Sequence, residues 1–199
     1  MSKKFQAIGN ELKRNAQVLF SLVALLWVIT IIDQVIFHGK MRQLGIAPKD
    51  PDGLKGILFA PFLHGDFYHL AANTVPLLVL GWFVMIRSLK DFWWVSLISA
   101  VVGGLGTWLI GSPYSVHIGA SGVIFGYFGY LLFRGYFERS AVAVGLSIAI
   151  AMSYGGLIFG VLPTAGPRIS WEGHLFGFIG GIIAAKLLAN DRKQGGDDK

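Results

Sequence analysis

The stretch Gly119-Ala120-Ser121-Gly122-Val123-Ile124-Phe125-Gly126 decides the fold. Gly122 and Gly126 stand four residues apart, on one helix face, and form the small-xxx-small pair that lets two membrane helices approach with backbones nearly touching. A second stretch, Gly173-His174-Leu175-Phe176-Gly177-Phe178-Ile179-Gly180-Gly181, carries the same pattern at Gly173, Gly177 and Gly181. Each run has one chemistry-bearing side chain at the same end of its glycine face, Ser121 in the first and His174 in the second. Packing the two faces together would bring that serine within hydrogen-bond reach of that histidine.

The rest of the chain supplies the setting. Its 199 residues are enough for one domain; 54% are hydrophobic and only 14% charged, against about 25% charged in soluble domains. That deficit excludes an ordinary soluble globule. There is no cysteine, which excludes disulfides, thiolate metal sites and a cysteine nucleophile. The net charge of +6 lies in short clusters between apolar runs and forms no basic stripe, so no nucleic-acid partner is expected. Lys3, Lys4, Lys13 and Arg14 precede an apolar stretch with no small-residue cleavage site, which reads as a retained first helix.

Six candidate spans follow, over residues 17–37, 67–86, 92–110, 118–133, 141–162 and 173–188. Most approach the ~20 apolar residues that cross a hydrocarbon core, and the fourth and sixth are short. The predicted class is an all-α membrane protein with six transmembrane helices around a short central fourth. Residues 1–15 read as a cytoplasmic N-terminal segment, 16–190 as the membrane domain and 191–199 as a cytoplasmic polar tail, disordered from Gln194 onward. Of the 17 Lys and Arg residues, 12 fall on the side holding the termini and 5 on the other. The positive-inside rule therefore places the termini in the cytoplasm of a multi-pass cell-membrane protein.

Polar groups inside a membrane are costly and mark function by default. Counting back from the inner ends at Arg134, Arg87 and Lys186, Ser121, Asn73 and His174 lie 13, 14 and 12 residues out, or about 20 Å at ~1.5 Å per residue. His69 is one turn beyond Asn73. The four share one level, roughly 10 Å below the outer face of a ~30 Å core, which implies a wet cavity open to that face. A serine hydroxyl needs a base, and imidazole is the usual one, so Ser121 reads as nucleophile and His174 as general base. No carboxylate sits at that depth, so a dyad is expected, with Phe125 stacked on the His174 ring. His69 and Asn73, with the Ser121 N–H, can donate to an oxyanion; Gly119 and Ala120 belong to the same substrate-binding surface. Gly122, Gly126, Gly177 and Gly181 supply the close packing. His64 reads more readily as a loop histidine than as a site residue, His117 as a weak rival base, Asp33 as interfacial, and Trp93 and Trp94 as an aromatic belt. A metal site on His64, His69 and His174 lacks the usual ligand spacing; no metal or cofactor is expected.

Gly119-Ala120-Ser121-Gly122 resembles the G-x-S-G motif of rhomboid intramembrane proteases, His69 to Asn73 their H-x₃-N motif, and His174 to Gly177 their sixth-helix histidine motif. The three occur in the family's order, and the resemblance covers roughly residues 16–190. It implies a six-helix rhomboid bundle of minimal bacterial type that hydrolyses peptide bonds in the transmembrane segments of other proteins. Substrates would enter from the lipid bilayer, past the fifth span and a capping loop over 163–172. Two departures are visible: Phe125 stands where some members carry Tyr, and no Trp-Arg pair occurs in 37–67. The alternatives are a catalytically inactive rhomboid-like protein that binds membrane clients, and a transporter or channel lined by His69, Asn73 and His174. The first type lacks the Ser or the His, and the second needs polar groups at more than one depth.

Overall fold

The computed structural model describes residues 3–166 and 169–196. Seven helices account for most of them: α1 (Lys3–Val35), a short α2 (Gly56–Phe59), α3 (Phe67–Met85), α4 (Leu89–Ile110), α5 (Ser121–Glu138), α6 (Ala141–Tyr154) and α7 (Trp171–Gly196). Among the described residues five segments are long and apolar enough to cross a membrane: α1, α3, α4, residues 141–161 comprising α6 and its following 3₁₀ turn, and α7 as far as Arg192. The sequence reading expects six. Outside the five are the four-residue α2 and α5, an 18-residue segment that carries Arg134 and Glu138. Its position explains that composition: every residue from Ile124 to Leu131 is buried, and α5 touches α3, α4, α6 and α7. Over that stretch the helix is enclosed by protein and need not satisfy lipid; Phe133 and Tyr136, further along, are exposed.

Helix starts follow local chemistry. Asp66 caps α3 by accepting the His69 N–H at 2.7 Å, and Ser88 caps α4 by accepting that of Lys90 at 3.0 Å, as short polar side chains do at N-caps. Asp33, expected at an interface, is instead buried at the end of α1, where it accepts the Met41 N–H at 2.9 Å and turns the chain into the long 36–66 connection. That connection returns against α4, where Gly104 leaves room for Ile57; a Cβ there would lie 2.8 Å from the Ile57 side chain.

The α5–α7 contact is closer than side chains allow. A Cβ on Gly177 would lie 2.1 Å from the Gly122 carbonyl oxygen, and one on Gly181 1.9 Å from that of Gly126. The pairing advances in the same direction on both helices, so α5 and α7 run parallel and their N-termini lie side by side. Gly126 also leaves room for Ser99 of α4, whose Oγ would be 1.9 Å from an added Cβ.

At the opposite end, ion pairs tie the same three helices. Arg192 of α7 bonds to Asp91 of α4 and Glu138 of α5, Arg134 pairs with Glu138 at 3.1 Å, and the Tyr130 hydroxyl donates to Asp91 at 3.1 Å. Asp91, just before the expected third span, and Arg134, just past the expected fourth, are buried here. The Arg192 contacts explain why α7 continues past the expected end at 188: residues 194–196 are helical, whereas the sequence reading expects disorder from Gln194. Residues 197–199 lie outside the described residues.

Gly181→Val should lower the unfolding temperature of the purified protein in detergent strongly, since filling a backbone contact costs at least about 1–3 kcal/mol. Gly145→Ala, on α6 with nothing within 4 Å, should leave it unchanged or raise it by the equivalent of about 0.5–1 kcal/mol. Equal effects would contradict the packing described.

Candidate active site

Ser121 is the first residue of α5, behind Ala120, and His174 lies in the first turn of α7. The parallel glycine contact sets these two helix starts together, and His174 Nε2 lies 2.8 Å from Ser121 Oγ. The other ring nitrogen, Nδ1, lies 3.0 Å from the Gly160 carbonyl. A carbonyl only accepts, so Nδ1 carries the proton and Nε2 is left to accept from the Ser121 hydroxyl. Phe125 stacks on the ring, with centroids 4.0 Å apart and planes within 8°. Between the carbonyl and the stack, the imidazole has one available orientation. This geometry can move a proton from Ser121 to His174 without rearrangement.

The residues around Ser121 Oγ divide the hydrogen-bond work. Gly119 has φ 121°, a conformation natural to glycine. A Cβ there would sit 2.8 Å from the His69 ring and 3.7 Å from Ser121 Oγ, so the missing side chain lets His69 lie beside the serine. The Gly119 N–H is held by the Ala60 carbonyl at 2.8 Å and that of Ala120 by His64 Nε2 at 3.4 Å. Neither is free to donate to a substrate; both serve to hold the turn. The Ser121 N–H, by contrast, has no partner among the described residues, as expected at a helix N-terminus. Asn73 is buried and donates one amide proton to the His69 carbonyl at 3.0 Å, leaving the second.

A cavity of about 40 Å³ borders Ser121 and Gly122 and is lined also by Thr107, His117 and Ser170. A water needs about 10–15 Å³ measured this way, so the space suits a few. His117, weighed above as a rival base, directs its nitrogens elsewhere: Nδ1 lies 2.6 Å from Ser170 Oγ and Nε2 2.8 Å from Ser115 Oγ. Burial holds its imidazole below the ordinary histidine range, against the pull of the Glu172 carboxylate.

A family model described as the rhomboid domain matches residues 51–191, which include every one of these side chains. The chain belongs to the rhomboid family. An uncharacterized protein of Mycobacterium tuberculosis is 43% identical over 183 residues, covering 88% of this chain and 76% of its own. One from Mycobacterium leprae is 42% identical over 183 residues, covering 88% and 72%. A Bacillus subtilis protein provisionally named as the rhomboid protease YdcA is 31% identical over 135 residues, 66% of each chain.

Two features of this rhomboid site were not legible in the sequence. Gly160 acts through its backbone carbonyl, which no residue type announces. His64, read as a loop histidine, is 2% exposed and packs edge-on against His69 at 5.1 Å between centroids. His64 stays in the loop and accepts a hydrogen bond, as the loop reading allows, but its depth has no signature in the sequence. Burial, reinforced by the neighbouring His69, lowers the His64 imidazole to about 4. The unfolded chain therefore takes that proton first as pH falls. The contribution to stability is intact above about pH 6.5 and is lost as pH drops toward 4, up to about 3 kcal/mol in all. Wild-type unfolding temperature should fall across this window more steeply than that of His64→Gln. Parallel curves would contradict a neutral, buried His64.

Proposed function

We propose that this rhomboid is an intramembrane serine endopeptidase that cleaves transmembrane segments of other membrane proteins. The observation that carries the reading is the 2.8 Å contact between Ser121 Oγ and His174 Nε2, with Nδ1 tied to the Gly160 carbonyl. Ser121 is the nucleophile and His174 the general base. As Oγ bonds to the substrate carbonyl carbon, its proton passes to Nε2 and the carbonyl electron pair moves onto oxygen. That oxyanion is met by the Ser121 N–H, His69 and the second amide proton of Asn73, aided by the partial positive charge at the start of α5. Collapse breaks the C–N bond, and His174 gives its proton to the departing amine. A water, deprotonated by the same imidazole, then releases the acyl group and restores Ser121. The reading needs no cofactor.

In this reading α5 is the central, short crossing of a six-helix rhomboid bundle, with both termini cytoplasmic and the site open to the outer face of the cell membrane. Two features support entry from lipid. The crossing formed by α6 and its 3₁₀ turn is the least buried of the five, and it packs mainly on α5 and α7. The α6 helix and the loop 163–172 therefore serve as the gate; residues 167–168 of that loop lie outside the described residues. A substrate helix must unwind locally there before its carbonyl can be attacked, because a hydrogen-bonded helix hides it.

The test is cleavage of a single-span substrate in liposomes by purified wild type, Ser121→Ala and His174→Ala. Wild type should cleave, and each variant should lose more than about 10³-fold in kcat. Cleavage by Ser121→Ala at the wild-type rate would overturn the proposal.

A further inference from the structure

His117 is a half-buried histidine that the proposed chemistry does not use, yet its hydrogen bonds are fully committed. The Ser115 hydroxyl has one proton, and the Ser112 carbonyl takes it at 2.5 Å. Ser115 must then accept from His117, so Nε2 bears the ring proton and the neutral Nδ1 is an acceptor. The Ser170 hydroxyl gives its proton to Nδ1 at 2.6 Å, and its lone pairs face the Gly173 N–H at 3.3 Å. The chain of donors runs in one direction, from Gly173 through Ser170, His117 and Ser115 to Ser112, with every proton placed.

Its two ends matter differently. The His117 backbone is fixed by a pair of bonds to Ile46, at 3.0 and 2.9 Å, and it stands four residues before Ser121. Ser170 is the cap of α7: its hydroxyl holds the Gly173 N–H, and its carbonyl accepts the His174 N–H at 3.0 Å. The His117 ring therefore joins the segment leading to Ser121 directly to the residue that starts the helix of His174. The glycine contact sets how near α5 and α7 lie. It is looser at the first turn of α7, where a Cβ on Gly122 would lie 3.3 Å from the Gly173 carbonyl oxygen. At Gly177 and Gly181 the corresponding distances are 2.1 and 1.9 Å, so the Ser170 cap completes the placement of the first turn.

We propose that His117 is a positioning residue: through Ser170 it fixes the first turn of α7 and so the placement of His174 Nε2 against Ser121 Oγ. This rests on the serine endopeptidase reading above. The contact that matters is the Nδ1 side, which gives the proposal a discriminating pair of variants. His117→Asn places an amide oxygen near the Nδ1 position, where it can accept from Ser170. His117→Gln reaches instead toward the Nε2 position and Ser115.

The experiment measures kcat and KM for a single-span substrate in liposomes, with unfolding temperature recorded for each variant. His117→Ala should lose about tenfold or more in kcat, with KM within about twofold because both ring nitrogens are committed to Ser115 and Ser170. Asn should recover most of that loss, and Gln should behave like Ala. Ser170→Ala should lose at least as much as His117→Ala, because it also removes the cap on the Gly173 N–H, and the double variant should be no worse than Ser170→Ala alone, because the His117–Ser170 contact is common to both. Full kcat in His117→Ala, equal recovery by Asn and Gln, or additive losses in the double variant would each overturn the proposal. Should the Ala variant fail to fold, the Asn and Gln pair decides it. Wild type is assayed in parallel: wild-type inactivity defeats the endopeptidase reading itself, whereas an active wild type with an equally active His117→Ala defeats only the positioning role.

Discussion

The backbone contact between α5 and α7 is the constraint on which the rest depends. Inside a bilayer, apolar side chains gain little by leaving lipid for protein, so helices associate through close van der Waals packing and through polar groups that need partners. Gly122, Gly126, Gly177 and Gly181 remove the side chains from one face of each helix, and the carbonyls of one come within contact distance of the other's Cα atoms. Two parallel helices this close have N-termini close enough for a serine hydroxyl on one to reach an imidazole on the other. Ser99 and Gly180 extend the same contact to α4, where a Cβ on Gly180 would lie 2.9 Å from the Ser99 Cα.

What the glycines leave open, hydrogen bonds close. At the Ser121 end the N–H groups before Ser121 are consumed by Ala60 and His64, the proton of His174 is assigned by Gly160, and the start of α7 is held by Ser170. At the other end Arg192 gathers Asp91 and Glu138. Buried charges of this kind are costly to separate, so the network resists sliding of α7 along α5. The molecule is thus pinned at both ends of one helix pair. Its least enclosed crossing, the α6 segment, lies to one side.

Much of the site was readable because its signals are local or periodic. Ser121 and His174 sit at matching ends of glycine patterns, which the structure packs together, and His69 and Asn73 stand one helical turn apart on α3. The backbone carbonyl of Gly160 has no sequence signature, and its role depends on where a 3₁₀ turn falls. Gly119 and Ala120 were expected among the substrate-binding groups. Their N–H groups are instead held by partners 59 and 56 residues away, at Ala60 and His64, which spacing cannot reveal. Asp91 and Arg134 looked like loop ends because charge near an apolar run usually marks a boundary; mutual neutralisation through Arg192 and Glu138 lets them stay buried. The start and composition of α5 departed from expectation for the same reason: a helix enclosed by other helices is not bound by the apolarity rule that identifies a lipid-facing span.

The central claim is that the α5–α7 contact creates one activated serine. The most direct measurement is labelling of the membrane-embedded protein with a fluorophosphonate, followed by mass spectrometry to locate the adduct. The account predicts a single adduct on Ser121 that is lost in His174→Ala. An adduct on another serine, or labelling of Ser121 at the same rate without His174, would contradict it.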